Sequence, residues 1–210
     1  MRNCQICNST GKRVILNHYG DFCLFECTEC GHRYVDGLVD QAWFDNYYLT
    51  QYKTDDKPYS DARLDSLADF INTFTRAKNN VLDIGGTDGE LKKRIKCNCE
   101  TVGAGDKIRG GYQLVVMSHT LEHIYDIQYM MDRAKANMLK KSLLVVEIPV
   151  HLYDNYQDPT KYDYHWQHIN KFRPRDIEAL FVRHGFKIEV SEQLPDYREY
   201  NCWRIVGRNG

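Results

Sequence analysis

Apolar and polar positions follow two rhythms along the chain, and their order predicts a sheet flanked by helices. Three short apolar runs, at residues 81–84, 112–117 and 143–149, are typical of strands buried on both faces. Helical spacing of apolar residues predicts helices over about 64–74 and 127–139. The positions of the second helix expected to face inward are Met130, Ala134 and Met138. This alternation of strands and helices indicates an α/β domain.

Local signals place further elements around these runs. Ser60 is expected to cap the helix that precedes residue 64, since its hydroxyl can accept a hydrogen bond from the first turn. Another helix is predicted near 174–184, with Pro174 in its first turn and Gly185 as its C-cap. The remaining predictions are a short helix at 91–95 and strands around 100–103, 186–190 and 202–206.

A glycine turn follows the first buried strand, in the sequence VLDIGGTDG at residues 81–89. A strand, a glycine turn and a helix start in this order match the first unit of a doubly wound sheet, whose cofactor cleft lies beyond the strand. Counted from Gly85, Thr87 and Glu90 occupy the second and third glycine positions of a dinucleotide fingerprint. Their side chains would obstruct and repel a pyrophosphate, so a phosphate-free nucleoside cofactor fits better. The alternative is a generic strand-to-helix connection.

Two cysteine pairs near the amino terminus have the spacing of a zinc ribbon. They are Cys4-x-x-Cys7 and Cys27-x-x-Cys30, with short strands predicted between them at 12–17 and 22–25. Two thiolates in each tight turn can reach one ion, and four thiolates close a structural site without an open position. The alternative is a redox pair, and Cys23 is either a buried neighbour or a competing ligand.

Composition narrows the class of protein. The chain has 210 residues, 42% of them hydrophobic and 27% charged, which excludes a disordered chain. Its 8 cysteines are too sparse for a disulfide scaffold. The net charge of -1 gives no global basic field for nucleic acid, and the segment 1–40 is not basic either. No apolar run is long enough to span a membrane, so a cytoplasmic protein with reduced or metal-bound cysteines is expected.

Three segments carry a resemblance to a known family. Residues 81–91, VLDIGGTDGEL, resemble motif I of class I S-adenosylmethionine-dependent methyltransferases, and most closely the DIGxxDGxL variant of sugar C-methyltransferase-like proteins. Those proteins also carry an N-terminal Cys4 zinc ribbon. Residues 112–123, YQLVVMSHTLEH, are similar to the family's FDLVxxSxxLEH segment, and residues 143–149 to its ExP ending. The resemblance implies an α/β, Rossmann-like doubly wound methyltransferase sheet, an antiparallel final hairpin, S-adenosylmethionine as cofactor and structural Zn²⁺.

The resemblance also implies where the cofactor lies. The residues it places at the cofactor are Asp83, Gly85, Gly86, Thr87, Gly89, Ser118 and His119. His123 is expected to be a packing residue at a helix start. The interval between Val81 and Tyr112 is short for this family, so the sheet is predicted to lack one strand-helix unit. Asp106 then either holds the ribose or adenine side of the cofactor, or is only a turn residue.

A polar and aromatic stretch of residues 151–168 follows the last parallel strand, and residues 167–172, QHINKF, resemble the family's EHLxxF segment. The family's base falls on His168, and its nearby tyrosine falls on His165. Imidazole is suited to proton removal near neutral pH, although a hydrogen-bonded loop histidine is the alternative. The expected order is a zinc ribbon at 1–40, a Tyr-rich linker at 41–60 and a methyltransferase domain at 61–210.

The resulting hypothesis is in-line methyl transfer from S-adenosylmethionine to a small polar acceptor such as a sugar or nucleotide-sugar, with a histidine base. Two alternatives remain. One is a degenerate methyltransferase fold that binds without catalysis, because the missing unit weakens the cleft. The other is an RNA methyltransferase, which the charge of the ribbon segment disfavours.

Overall fold

A computed structural model of the chain describes residues 2–19, 22–37, 41–50, 57–86, 89–150, 168–194 and 202–210. The apolar runs predicted as strands form the centre of a six-stranded sheet. Its strands are β4 (Asn80–Ile84), β5 (Asn98–Val102), β6 (Tyr112–Ser118), β7 (Met138–Pro149), β9 (Phe186–Gln193) and β10 (Cys202–Asn209). They lie in the order β5-β4-β6-β7-β10-β9. The first four are parallel, whereas β10 runs antiparallel to both β7 and β9.

A second, antiparallel sheet contains the amino-terminal strands, and we call it the ribbon sheet. It consists of β1 (Lys12–Tyr19), β2 (Phe22–Cys27), β3 (Arg33–Gly37) and β8 (Asn170–Lys171), in the order β1-β2-β3-β8. The helices are α1 (Gln41–Thr50), α2 (Lys57–Phe74), α3 (Glu90–Arg94), α4 (Ile127–Ala136) and α5 (Pro174–Arg183), with a single 3₁₀ turn at Leu121–His123. None of the helices in the described ranges is long and apolar enough to cross a membrane.

Both faces of the large sheet are covered, as its continuous apolar strands predict. On one face, Leu67 of α2 packs in the same buried cluster as Val81 and Val116, and on the other, Phe181 of α5 belongs to the same cluster as Leu82. Successive residues of a strand point to opposite faces, so neighbours such as Val81 and Leu82 serve different helices. Each fully buried aliphatic side chain of this kind contributes roughly 1.5–3 kcal/mol. The Rossmann-like, doubly wound arrangement is therefore confirmed.

The predicted loss of one strand-helix unit is also confirmed. Between β4 and β6 the described residues form only α3 and β5, and residues 103–111 connect β5 to β6 without a helix or strand. Consequently β5 is an edge of the sheet. Gly110 and Gly111 have positive φ values of 80° and 88°, which lets this short connection turn directly into β6.

Three local predictions were wrong. Helix α2 begins at Lys57, so Ser60 lies inside the helix and is not its cap. Helix α4 ends before Met138, because Asn137 caps it, and Met138 instead pairs with Tyr112 at the start of β7. A single 3₁₀ turn replaces the helix expected after β6. In the last two cases the boundary was set by strand pairing or a short turn, which apolar spacing does not report.

The ribbon sheet is joined to the large sheet's domain, and β8 makes the connection. Arg33 and Tyr34 of β3 pair with Lys171 and Asn170 of β8, which follows the polar and aromatic stretch. The Arg2 side chain, 8% exposed, reinforces this junction. It donates to the backbone oxygens of Tyr125, Val35 and Ile169 at 2.5, 3.1 and 3.0 Å. The two sheets are thus tied together by backbone pairing and by a buried guanidinium.

Candidate functional site

The glycine turn after β4 is shaped by tight contacts beneath it. Gly85 has a φ of 90°, and its N–H donates to the Val102 oxygen at 2.8 Å. A Cβ at Gly85 would lie 2.4 Å from Oγ1 of Thr120, and one at Gly86 would lie 2.0 Å from Oδ2 of Asp83. Both glycines are therefore required by the packing of the turn itself.

Among the described residues, the outer side of the same turn is open at Gly89. Gly89 has a φ of 66°, and among the described residues no heavy atom lies within 4 Å of the position that its Cβ would take. Asp83, by contrast, is 3% exposed and lies below the turn. Thr87 is outside the described residues. A ligand can therefore approach the backbone at Gly89, while Asp83 and the first two glycines form the base of the turn.

Asp106 lies in the connection that follows β5. Its Oδ2 accepts a hydrogen bond from the Gly103 N–H at 2.7 Å, and the residue is exposed. This contact closes a turn, as expected if Asp106 is only a turn residue. Two residues before the end of β5, Glu100 accepts a hydrogen bond from the Tyr112 hydroxyl at 2.5 Å. Burial, followed by this hydrogen bond, raises the pKa of Tyr112 to about 12.

Ser118, at the end of β6, belongs to a polar network that the sequence did not reveal. Its hydroxyl accepts from Arg63 of α2 and donates to Oε2 of Glu147 at 3.3 Å. Glu147 is fully buried in β7, and Arg204 of β10 donates to its Oε1 twice, at 2.8 and 2.6 Å. The only available signal was an acidic residue in an apolar strand, since a buried carboxylate requires a cationic partner.

His119 follows β6 in the left-handed conformation, with a φ of 51°. Its Nε2 lies 3.7 Å from Sγ of Cys202, and its Nδ1 lies 3.6 Å from Oε1 of Glu122. Burial lowers the pKa of His119 well below its usual value, and the positive charges of Arg63 and His123 add to this effect. The imidazole is therefore neutral at physiological pH, with one nitrogen facing a thiol and the other a carboxyl group.

Glu122 is the most constrained ionisable group near this end of the sheet. It is 0% exposed, and neither carboxyl oxygen accepts a hydrogen bond from the residues that the structure describes. Burial raises the pKa of Glu122 to about 8. A buried carboxyl group without a hydrogen bond is costly in either state of protonation, and especially when charged.

His123 and His168 lie beside Glu122. The two imidazole rings meet edge to face, with centroids 4.8 Å apart. Glu122, His123 and His168 each have one atom that could bind a metal ion, and these three atoms all lie within 4.8 Å of one another. His165, the other predicted catalytic residue, falls outside the described ranges. The structure therefore brings His168 to the loops after β6, together with two groups of the LEH segment.

The four predicted cysteine ligands converge at the ribbon. Their sulfur atoms all lie within 4.8 Å of one another, and the Cys4–Cys30 and Cys7–Cys27 Sγ distances are each 3.5 Å. Cys23 lies on β2 opposite Asp36 and is not part of this cluster. The N–H groups of Asn8 and Gly31 donate to the backbone oxygen of the first cysteine of each pair, at 2.8 and 2.9 Å, which forms two knuckle-like turns. The arrangement could hold one metal ion between four sulfur atoms.

Comparisons with known proteins agree with this geometry. Residues 59–190 match a family described as a methyltransferase domain. The N1-methyltransferase for 1,6-didemethyltoxoflavin from Burkholderia thailandensis, solved with that compound and S-adenosylhomocysteine, has a TM-score of 0.63 at 10% identity, over 95% of this chain and 99% of its own. Magnesium protoporphyrin IX methyltransferase from Synechocystis PCC 6803, solved with S-adenosylhomocysteine, gives 0.58 at 11% identity, over 81% of this chain and 100% of its own.

A third structure shows how widely the fold is used. The [4+2]-cyclase SpnF has a TM-score of 0.53 at 12% identity, over 69% of this chain and 80% of its own. No curated protein sequence matches the chain. At such identities the structural likeness concerns the fold alone, and function must be argued from the site. The family match is different in kind, because it spans more than half of the sequence. On that ground the chain belongs to the methyltransferase domain family.

Proposed function

We propose that the chain is a methyltransferase that uses S-adenosylmethionine and acts on a small polar acceptor, such as a sugar or nucleotide-sugar. The observation that carries this proposal is the glycine turn at the carboxyl end of β4, which is packed below by Asp83 and Thr120 and open above at Gly89. This is the position where an open α/β sheet binds its ligand. Family membership supports the choice of cofactor.

The residues of this edge fit the cofactor's chemistry. At Gly89 the backbone can be approached closely, as a nucleoside with an amino-acid tail requires. Gly85, Gly86 and His119 border the same edge, and Thr87 stays a predicted contact. When bound, the cofactor supplies a methyl group on a positively charged sulfur. The chain's own task is to hold an acceptor atom in line with that methyl group and to exclude water.

His168 is the residue that we place at the proton of the acceptor. It is partly exposed, adjoins His123 and Glu122, and immediately follows the polar and aromatic segment that contains His165. Proton removal is needed only where the attacking atom carries a proton in the ground state, as a sugar hydroxyl or an activated carbon does. The lowered pKa of the nearby His119 makes its imidazole a weaker base and less suited to this task.

The cysteine cluster supports the second cofactor, a structural Zn²⁺ bound by Cys4, Cys7, Cys27 and Cys30. Zinc–sulfur bonds of about 2.3 Å in a tetrahedron place sulfur atoms roughly 3.8 Å apart, so the cluster has nearly the required dimensions. Burial raises the pKa of Cys7, and hydrogen bonding to Cys4 raises that of Cys30. These two thiols are therefore unfavourable as anions without a nearby cation. With four protein ligands, the ion would stabilise the ribbon and take no part in the reaction.

One observation favours an alternative function, a binding protein of methyltransferase fold without catalysis. The sheet ends at β5, and Asp106, the predicted acidic contact to the cofactor, has one oxygen engaged by the Gly103 N–H. Within the described residues the loop 103–111 offers no other acidic side chain. If the cofactor site is weakened in this way, the same cleft would bind a different ligand and carry out no methyl transfer.

Calorimetric titration with S-adenosylmethionine and S-adenosylhomocysteine separates the two functions. Saturable binding of both, and formation of S-adenosylhomocysteine with a panel of sugar nucleotides, supports the transferase. His168→Ala is expected to reduce turnover at least ten-fold and to leave cofactor affinity unchanged. His184→Ala is the matched control, since His184 lies at the end of α5, 2.9 Å from Asp132, and should leave turnover intact. Absence of cofactor binding to the zinc-loaded protein would refute the transferase.

A further inference from the structure

Three side chains that can ligate a metal meet beyond the end of β6. Glu122 and His123 come from the 3₁₀ turn after β6, and His168 lies just before β8. Their ligand atoms lie within 4.8 Å of one another, and Oε1 of Glu122 is 3.9 Å from Nε2 of His123. Two ligands about 2.1 Å from one ion at an octahedral or tetrahedral angle lie about 3.0–3.4 Å apart. Small side-chain movements would therefore complete a coordination sphere.

The carboxyl group of Glu122 is the second and independent observation. It is completely buried, and both oxygens lack a hydrogen-bond donor among the residues that the structure describes. Arg63, whose charge acts on Glu122, is already engaged by Ser118 and lies 3.6 Å from Glu147. A buried carboxylate needs a cation or a set of donors to offset its lost hydration. The group lies next to two imidazoles, whose neutral form offers a lone pair to a metal ion.

We propose that Glu122, His123 and His168 bind one divalent metal ion, separate from the ion of the cysteine cluster. Two imidazoles and a carboxylate are a donor set for divalent transition-metal ions such as Zn²⁺, Mn²⁺ and Co²⁺. His119 adjoins the same carboxyl group, with its Nδ1 3.6 Å from Oε1 of Glu122. Three protein ligands leave coordination positions open, in contrast to the closed four-sulfur site.

The open positions indicate the class of acceptor. A metal ion with free positions binds oxygen donors, and best of all two adjacent oxygens that chelate it. This assignment of an acceptor rests on the proposed function. The acceptor would carry neighbouring hydroxyl or carbonyl oxygens, as a vicinal diol does. With the ion bound, His168 would hold it instead of taking up the proton itself, and the ion would lower the pKa of an acceptor hydroxyl.

Manganese is the appropriate probe, because Mn²⁺ prefers nitrogen and oxygen ligands and does not compete for four thiolates. The full chain is first loaded with one equivalent of zinc, which the four thiolates select, and any excess metal is removed so that the proposed site is free. Free Mn²⁺ is then followed by its electron paramagnetic resonance signal during titration. We expect one Mn²⁺ per wild-type chain. Glu122→Gln and His168→Ala should each weaken binding at least ten-fold, whereas the control His184→Ala should bind as the wild type does.

Each variant is checked for folding, and the experiment has outcomes that would refute the site. Circular dichroism and zinc content verify each variant. Should Glu122→Gln not fold, the partly exposed His168→Ala decides alone. Absence of Mn²⁺ binding to the wild type, or wild-type affinity in both variants, overturns the site. Cofactor titration is run separately: Mn²⁺ binding without cofactor binding refutes the transferase but leaves the site standing, and cofactor binding without Mn²⁺ binding refutes only the site.

Discussion

Replacing Asp176 by asparagine removes one negative charge from the junction between the ribbon and α5. Asp176 is 2% exposed, and Arg173 donates to its oxygens at 2.9 and 2.8 Å. His32 Nδ1 lies 3.3 Å away, and the same Arg173 also donates to the backbone oxygen of Cys30 at 2.9 Å. The carboxylate therefore fixes the arginine that holds the second cysteine pair against the domain.

The magnitude follows from the pKa of this carboxyl group. Burial raises the pKa of Asp176, but hydrogen bonds from His32 and Arg173 outweigh burial and lower it from 3.8 to about 2. A shift of this size corresponds to about 2 kcal/mol of folding free energy. Because the folded-state pKa is depressed, the stabilisation is present above the unfolded pKa of 3.8 and disappears as the pH falls towards 2. The Asp176→Asn variant would lack it at every pH.

Urea unfolding of the zinc-loaded wild type and of Asp176→Asn measures this difference. We expect the variant's free energy of unfolding to be about 2 kcal/mol lower than that of the wild type at pH 7. This difference between the two proteins should decrease steadily below about pH 4. Taking the difference between the two proteins at each pH cancels the loss of zinc that both undergo in acid. Glu189→Gln, which breaks the exposed pair with Arg208, should cost less than about 1 kcal/mol. A gap that is small at pH 7, or constant down to about pH 3, would refute the reasoning.

Three other outcomes can be checked with simple variants. Cys7→Ser, or treatment with a strong chelator, should release zinc and lower the melting temperature, measured by zinc content and thermal unfolding. Gly86→Ala places a Cβ 2.0 Å from Oδ2 of Asp83 and should reduce cofactor affinity at least ten-fold in calorimetry. Gly89→Ala meets no atom of the described residues, so it should cost only about 1 kcal/mol of stability from its positive φ, but its Cβ would lie where the cofactor approaches and should weaken cofactor binding as well. Glu147→Gln should destabilise the fold by roughly 3 kcal/mol in denaturant titration, because it leaves buried guanidinium groups without their counter-charge.

Features that depend on neighbours in the sequence were predictable. The glycine turn after β4 and the Cys4 and Cys27 pairs have fixed short spacings, because tight turns must present their groups locally. The same holds for α5, where Pro174 begins the helix and Gly185, with a φ of 72°, follows its end. The length between β4 and β6 was sufficient to predict the missing unit, since a strand and a helix require a minimum number of residues.

Features that depend on distant contacts were not predictable. Strand β8 has two residues, and it exists because Asn170 and Lys171 pair with β3, which lies far away in sequence. Likewise, the residues next to Glu122 in sequence do not predict that its carboxyl group lacks a hydrogen-bond donor among the described residues. The absence of a donor depends on which distant side chains pack around Glu122. His123 was predicted to pack for the same reason: a histidine after a buried strand has no local mark of its neighbours.

The pairing of β3 with β8 has a consequence for how such a protein can change over generations. Residues 33–37 and 168–172 are separated by most of the chain, yet each supplies the other's hydrogen-bonding edge. A recombination event that exchanged only the amino-terminal segment would bring in a strand with the wrong partner and displace the histidine beside it. We therefore expect the two segments to be inherited together and to change together during evolution.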